Sequence, residues 1–202
     1  MDHQDNHPSD EVLVSFCQKG DFSSFEIIYK RYQRPILAYI FQLTRDYEAS
    51  ACIAQDVFLK VFERVDRFDT NRRFSTWFYT IARNASLDWI DHRKRTGAVR
   101  LSIQDDENAP EMEPTAPAEA IDAFLARQES TVLLAKALAE LPSVHREVIE
   151  LVVFQSRSYE EAAEIIGGGT SLGTLRSRMF HALKRLRTAL EAIGGANGEH
   201  LL

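Results

Sequence analysis

Apolar residues recur three and four apart along most of the chain, and that spacing predicts helices. From Asp21 to about Leu43 the positions Phe25, Ile28, Tyr29, Tyr32, Ile36, Tyr39, Ile40 and Leu43 share one face of a long helix with Asp21 as its N-cap. Pro35 lies inside that run, so a kink or a break is expected there. A shorter helix is predicted from Asp10 to Lys19, with Ser9 as cap and Gly20 as stop. A third, from about Glu48 to Arg67, repeats Ile53, Val57, Val61 and Ala54, Phe58, Phe62, Val65. After the polar loop from Phe68 to Phe74, a fourth helix begins at Ser75 as N-cap. It runs through Trp77, Phe78, Ile81, Ala82, Ala85, Leu87 and Trp89 into Arg93-Lys94-Arg95. No alternating strand pattern of useful length occurs, and the predicted class is all-α.

Between Tyr159 and Leu190 the pattern gives a helix, a glycine turn and a second helix, the arrangement of a helix-turn-helix. In the second helix Leu172, Leu175, Met179, Leu183, Leu186 and Leu190 form the predicted buried stripe. Arg176, Arg178, Lys184, Arg185 and Arg187 fall on the flanks and far side, and no Asp or Glu occurs from Ile165 to Leu190. A solvated helix with cations near the C-terminal end of its dipole explains Lys184, Arg185 and Arg187. Arg176 and Arg178 stand near the N-terminal end, where the dipole disfavours them, and facing DNA phosphate accounts for both.

Composition changes this picture in one respect. The chain has 202 residues, enough for one large domain or two small ones, and its formal net charge of −6 is unusual for a nucleic-acid binder. From Leu101 to Ala126, however, there are seven acids and no Lys or Arg, and without them the remainder carries +1. Pro110, Pro114 and Pro117 lie in the same stretch among small polar residues. It reads as an acidic flexible linker, 97–126, between a first domain, 1–96, and a second, 127–202. Cys17 and Cys52 are too few for a disulfide framework and lack zinc-site spacing, so both read as core or partly buried thiols. His3 and His7 have no cysteine partner, and neither a metal nor a cofactor is expected. The polar, acidic N-terminus and the lack of a long apolar run predict a cytoplasmic protein.

The fourth helix carries a second signal. Phe68, Phe74, Trp77, Tyr79 and Trp89 lie among Arg67, Arg72, Arg73, Arg83, Asn84 and the basic tail, a mixture suited to unstacked single strands. Core packing explains Trp77 and Phe78 equally well, and Asn84 alone decides nothing.

Taken together, the two segments resemble the sigma-70 family of transcription initiation factors, in its extracytoplasmic function group. The runs IAQDVFLKVFERVDRF and FSTWFYTIARNASLDWIDHRKR are similar to sigma domain 2, over Phe25 to Arg95. The runs ALAELPSVHREVIELVVFQSRSYEEAAEIIG and GTLRSRMFHALKRLR are similar to domain 4, over Leu138 to Leu190. The resemblance implies a non-catalytic protein that binds core RNA polymerase and directs it to promoters. It also implies an anti-sigma factor as partner. Domain 2 would hold the minus-ten element with a flipped base, and domain 4 would read the minus-thirty-five element as duplex. By position, Asn71, Arg72, Phe74 and Asn84 are assigned to the base, and Arg93, Lys94 and Arg95 to upstream phosphate. Thr174, Ser177, Arg178 and His181 are assigned to the duplex, with Arg176 and Lys184 on its phosphates. The polymerase surface matches Gln55, Asp56, Leu59 and Lys60.

This chain departs from the family pattern in three places. Ala51 and Cys52 replace an acidic pair, five residues instead of three separate Gly167 from Gly173, and His181 and Leu183 stand where arginines are common. A protein that mimics a sigma factor to sequester its inhibitor would share the helices and acidic linker, with little need for a basic recognition helix or Asn84. A simple helix-turn-helix repressor leaves the first domain idle. For an enzyme, Asp88 with Asp91 and Glu160 with Glu161 would be the carboxylate pairs, but both fit solvated faces or caps, with no nucleophile or metal set beside them.

Overall fold

The computed structural model describes residues 8–96 and 132–198, all of whose regular elements are helical. The expected linker, 97–126, lies outside them. Helix α1 is Asp10–Cys17, with the Val12 N–H donating to Ser9 Oγ at 3.4 Å. Helix α2, Phe22–Thr44, starts where Asp21 accepts from the Ser23 N–H at 3.1 Å. It is unbroken at Pro35, although proline has no N–H to offer the Arg31 carbonyl. Arg45, at φ 56°, stops α2 in the left-handed conformation. Asp46 then caps α3, Tyr47–Arg64, which tightens into a 3₁₀ turn at Val65–Arg67.

Helix α4 is Phe74–Arg95 and begins one residue before the expected cap. Ser75 is buried in its first turn and Arg73 at the N-cap position makes no side-chain cap bond. The Phe74 N–H instead donates to Glu11 Oε1 at 3.1 Å, a carboxylate supplied by α1 across the fold. Burial pushes the Glu11 carboxyl up, but hydrogen bonds from the Phe74 and Glu11 N–H groups and from Ser9, with Arg73 nearby, leave it below its ordinary value.

The first unit is packed around aromatic rings. Phe74 and Phe78 are fully buried, with ring centroids 5.5 Å apart, and Phe78 lies 5.1 Å from both Tyr32 and Phe58. Ile28, Ile36, Val57 and Val61 fill the rest. Phe74 is therefore a core residue in this structure, which corrects its assignment to a base: its ring is enclosed by Tyr32, Phe68, Trp77 and Phe78. Cys17 is buried as expected, whereas Cys52 is exposed on α3.

The second unit contains a helix at 132–139 (α5), α6 at Ser143–Ile149, a wider π turn at Glu150–Phe154, α7 at Tyr159–Ile166 and α8 at Leu172–Gly198. A reciprocal capping box fixes the start of α7: Ser158 Oγ accepts from the Glu161 N–H at 3.1 Å, and Glu161 accepts from the Ser158 N–H at 2.9 Å. On α8 the buried residues are Leu175, Met179 and Ala182, with Leu186 half-buried, whereas Leu183 is 49% exposed. The predicted stripe thus bends to the small Ala182. The His145 and His181 rings stack at 6.4 Å between α6 and α8.

The aromatic core generates one prediction. Phe74→Ala leaves a cavity among four rings and is expected to cost about 3–5 kcal/mol in urea unfolding; a loss below about 1 kcal/mol would show that the ring is not held in the core. The stacked histidines generate another. Burial, helped by Arg185, His181 and Arg178, holds the His145 ring below its ordinary value of 6.5. A histidine depressed by folding adds stability above that value, which is lost as pH falls through its folded-state pKa. The unfolding midpoint of the full chain should decline below pH 6.5, and His145→Gln should flatten the decline. Parallel profiles for the two proteins would exclude His145 as its source.

Candidate nucleic-acid interface

The turn between α7 and α8 is built from backbone that glycine adopts readily. Gly167, Gly168 and Gly169 have φ of 66°, 64° and 71°, the left-handed region that side chains disfavour. The Gly167 N–H closes α7 on the Ala163 carbonyl at 2.9 Å. Ser171 then opens α8, accepting from the Thr174 N–H at 3.1 Å, and the two hydroxyls lie 2.9 Å apart. Thr174 is therefore engaged by the helix start.

Beyond that turn the outward face of α8 presents Ser177, Phe180 and Lys184. Phe180 is 65% exposed, an unusual position for a phenyl ring on a basic helix, and it is not among the residues assigned from the sequence. Its signal was available: 180 falls opposite the Leu175-Met179-Ala182 stripe. Arg176 is on one flank, with its guanidinium 6.0 Å from the Tyr159 ring centroid. Arg178, half-buried, and the exposed His181 are on the other flank, beside His145.

The assigned residues of the first unit are divided between exposed and engaged positions. Asn84 is exposed on α4. Asn71 is exposed too, with its backbone N–H and amide both donating to Asp69 Oδ1, at 3.0 and 2.9 Å. Arg93 is held by Asp46 Oδ2 at 3.0 Å and lies over the Trp89 ring at 4.9 Å. Lys94 is 3.8 Å from Asp91, and Arg95 donates to the Asp91 carbonyl. On α3, Gln55, Asp56, Leu59 and Lys60 are all exposed. Leu59 and Gln55 border a cleft of about 410 Å³ with Phe25, Tyr29, Phe58 and Phe62.

The two units meet along a seam where α4 lies on α7 and α2 on α6, their buried apolar residues belong to one core, and a set of polar contacts lies beside it. Arg72 donates to Glu164 at 2.6 Å, and Arg73 is 3.6 Å from Glu161. Deeper in, Glu147 of α6 is 8% exposed and accepts from Arg83 Nε at 2.6 Å and from the Tyr39 hydroxyl at 3.2 Å. The Tyr39 hydroxyl is held well above its ordinary range by burial and by the Glu147 charge, so it remains a donor. The π turn brings Gln155 to the same seam, where it accepts from the Tyr79 hydroxyl and donates to Glu150 at 2.8 Å and to the Pro35 carbonyl at 3.5 Å. None of these cross-unit partners was identified from the sequence.

Comparison with known proteins matches Sigma-70 region 2 over 28–96 and Sigma-70, region 4 over 131–186. The RNA polymerase sigma-H factor of Pseudomonas aeruginosa is 27% identical over 185 residues, covering 91% of this chain and 95% of that protein. RNA polymerase sigma factor YlaC of Bacillus subtilis is 31% identical over 148 residues, covering 73% and 82%. The ECF RNA polymerase sigma factor SigW of Bacillus subtilis is 29% identical over 180 residues, covering 88% and 94%. Among solved structures, CnrH in complex with the cytosolic domain of CnrY shares the fold at a TM-score of 0.63 and 22% identity, covering 92% of this chain and 99% of the other. RpoE bound to the anti-sigma factor NepR, from Bartonella quintana, shares it at 0.63 and 24%, covering 83% and 96%. With both regions matched in order along the helices described above, the chain belongs to the sigma-70 family of transcription initiation factors, in its extracytoplasmic function group.

Proposed function

We propose that this chain binds core RNA polymerase in the cytoplasm and directs it to promoters, performing no chemistry of its own. The observation that carries the reading is α8: a helix with no acid from its start to Leu190, whose outward face combines Ser177, Phe180 and Lys184 between arginine-bearing flanks. That face fits a major groove. Ser177 offers a hydroxyl to base edges, Phe180 an apolar contact for a thymine methyl, and Arg176 and Lys184 charge for phosphate. Thr174, Arg178 and His181 complete the proposed minus-thirty-five surface from its flank.

For the minus-ten element the proposed contacts are Asn71, Arg72 and Asn84, with Arg93, Lys94 and Arg95 towards upstream phosphate. Phe74 acts beneath them by fixing the start of α4. The polymerase is proposed to dock on Gln55, Asp56, Leu59 and Lys60. Support for a protein partner there comes from the apolar cleft beside Leu59, which is itself 60% exposed. An anti-sigma factor is the further proposed partner, in keeping with the NepR-bound relative. Run-off transcription with purified core polymerase, on templates chosen by mapping start sites after overexpression, tests the reading. Specific transcripts are expected; a sigma mimic or a simple repressor would yield none.

Two substitutions separate base reading from phosphate binding on α8. Lys184→Ala should weaken every duplex alike and reduce the salt slope of binding by about one unit. Phe180→Ala should reduce discrimination by about 1–3 kcal/mol at one upstream base pair and leave the salt slope unchanged. Titrations over a panel of promoter variants at several salt concentrations read both, and a uniform loss for Phe180→Ala would remove it from the groove.

A further inference from the structure

The start of α4 lacks the partners that a helix N-terminus ordinarily has. Arg73 at its N-cap position makes no side-chain cap bond, and of the first N–H groups Phe74 alone is engaged, by Glu11. Among the described residues the N–H groups of Ser75 and Thr76 meet no acceptor. The Ser75 side chain is orphaned in the same way. It is 6% exposed, and its hydroxyl makes no hydrogen bond among the described residues. These donors stand at the positive end of a helix of 22 residues.

Ser75 borders a cleft of about 560 Å³ that lies between α1, α2, the start of α4 and the turn before α7. Charge in this cleft is unevenly paired. Asp10 accepts from Arg31 and from the Tyr32 hydroxyl, and Glu11 accepts from the Phe74 N–H, so both carboxylates are engaged. Arg157, on the second unit, has no acidic partner among the described residues. Its Nε donates to the Gln155 carbonyl at 2.7 Å, and its guanidinium lies 5.5 Å from the Tyr79 ring centroid. Arg73, which also borders the cleft, has only the contact to Glu161 at 3.6 Å. Two guanidinium groups, a buried hydroxyl and the open amides of a helix start all favour an anion.

The cleft is far larger than a single oxyanion and falls in the range of small-molecule sites. Its remaining wall is apolar. Phe154, 47% exposed, borders it together with Pro35, and a planar ring laid against Phe154 would cover that surface.

We propose that this cleft binds a small phosphate-bearing ligand with an aromatic ring, the class of the nucleoside monophosphates. The phosphate is received at the Ser75 amide and hydroxyl between Arg73 and Arg157, and the ring lies on Phe154. The ligand touches both units and uses none of the residues proposed to meet promoter DNA, so its binding is separable from promoter reading.

Isothermal titration calorimetry of the full chain, in low-salt buffer without phosphate, tests the site with AMP, adenosine and inorganic phosphate. AMP is expected to saturate a single site, inorganic phosphate to compete for it with an affinity about threefold or more weaker, and adenosine not to saturate. Ser75→Ala removes a hydroxyl that makes no hydrogen bond in the free chain, and Arg157→Gln removes the unpaired charge. Each should weaken AMP about tenfold or more while helix content by circular dichroism is unchanged. Lys184→Ala, on α8, should leave the AMP affinity as it is. Absence of saturable AMP binding would overturn the proposal. So would AMP affinity that survives both Ser75→Ala and Arg157→Gln, or that is lost with Lys184→Ala, since the nucleotide would then be held elsewhere. Equal affinities for AMP and inorganic phosphate would overturn the place of the ring on Phe154.

Discussion

Glu147 lies where a charge is costly, nearly closed off from water between two helical units, and the relation of those units depends on how it is satisfied. The guanidinium of Arg83 and the hydroxyl of Tyr39 both come from the other unit, on α4 and α2. Two buried charges gain little over two apolar residues of the same shape, but either one left without its partner is strongly unfavourable. Such a pair contributes register more than stability. It fixes which face of α6 meets which faces of α2 and α4, and through that choice it sets Glu161 and Glu164 opposite Arg73 and Arg72.

The precision of the seam is prepared inside the first unit. The Phe74, Phe78, Tyr32 and Phe58 rings lock α4 against α2 and α3, and Glu11 holds its first N–H. With α4 fixed, Arg72, Arg73, Thr76, Tyr79 and Arg83 are presented along a single side, the side that meets the second unit. Charge is divided in the second unit in a complementary way. Acids lie on α7, facing those arginines, and cations on α8, facing outward. The helix-turn-helix therefore has an acidic face towards the first unit and a basic face away from it.

The helices were legible in the sequence because each buries a stripe that recurs at 3.6 residues, and local caps such as Ser9 and Asp21 mark their starts. What depends on contacts distant along the chain was not legible. Ser75 resembled a cap, but Glu11, 63 residues earlier, caps the backbone of Phe74. Pro35 resembled a breaker, but tertiary packing carries α2 through it. Phe74 and Arg72 looked alike as loop residues next to a base site; the first turned inward to the aromatic core and the second outward to Glu164. On α8 the run of leucines drew the stripe through Leu183, whereas the small Ala182 allows a closer approach and leaves Phe180 facing out. Glu147, next to Arg146 and three positions before Glu150, gives no local sign of burial. Its partners are 64 and 108 residues away, so no local pattern names them.

The pairing of Glu147 with Arg83 and Tyr39 sets how α6 sits on α2 and α4. Pulsed electron-electron resonance reads that register, with spin labels at Glu63→Cys on α3 and Thr188→Cys on α8, Cys52→Ser to remove the exposed native thiol, and the chain compared with and without Glu147→Ala. A single narrow distance is expected for the chain with Glu147, and a broad or displaced distribution for a Glu147→Ala chain that keeps its helix content by circular dichroism. The same narrow distribution in a folded Glu147→Ala chain would show that the pair does not set the register.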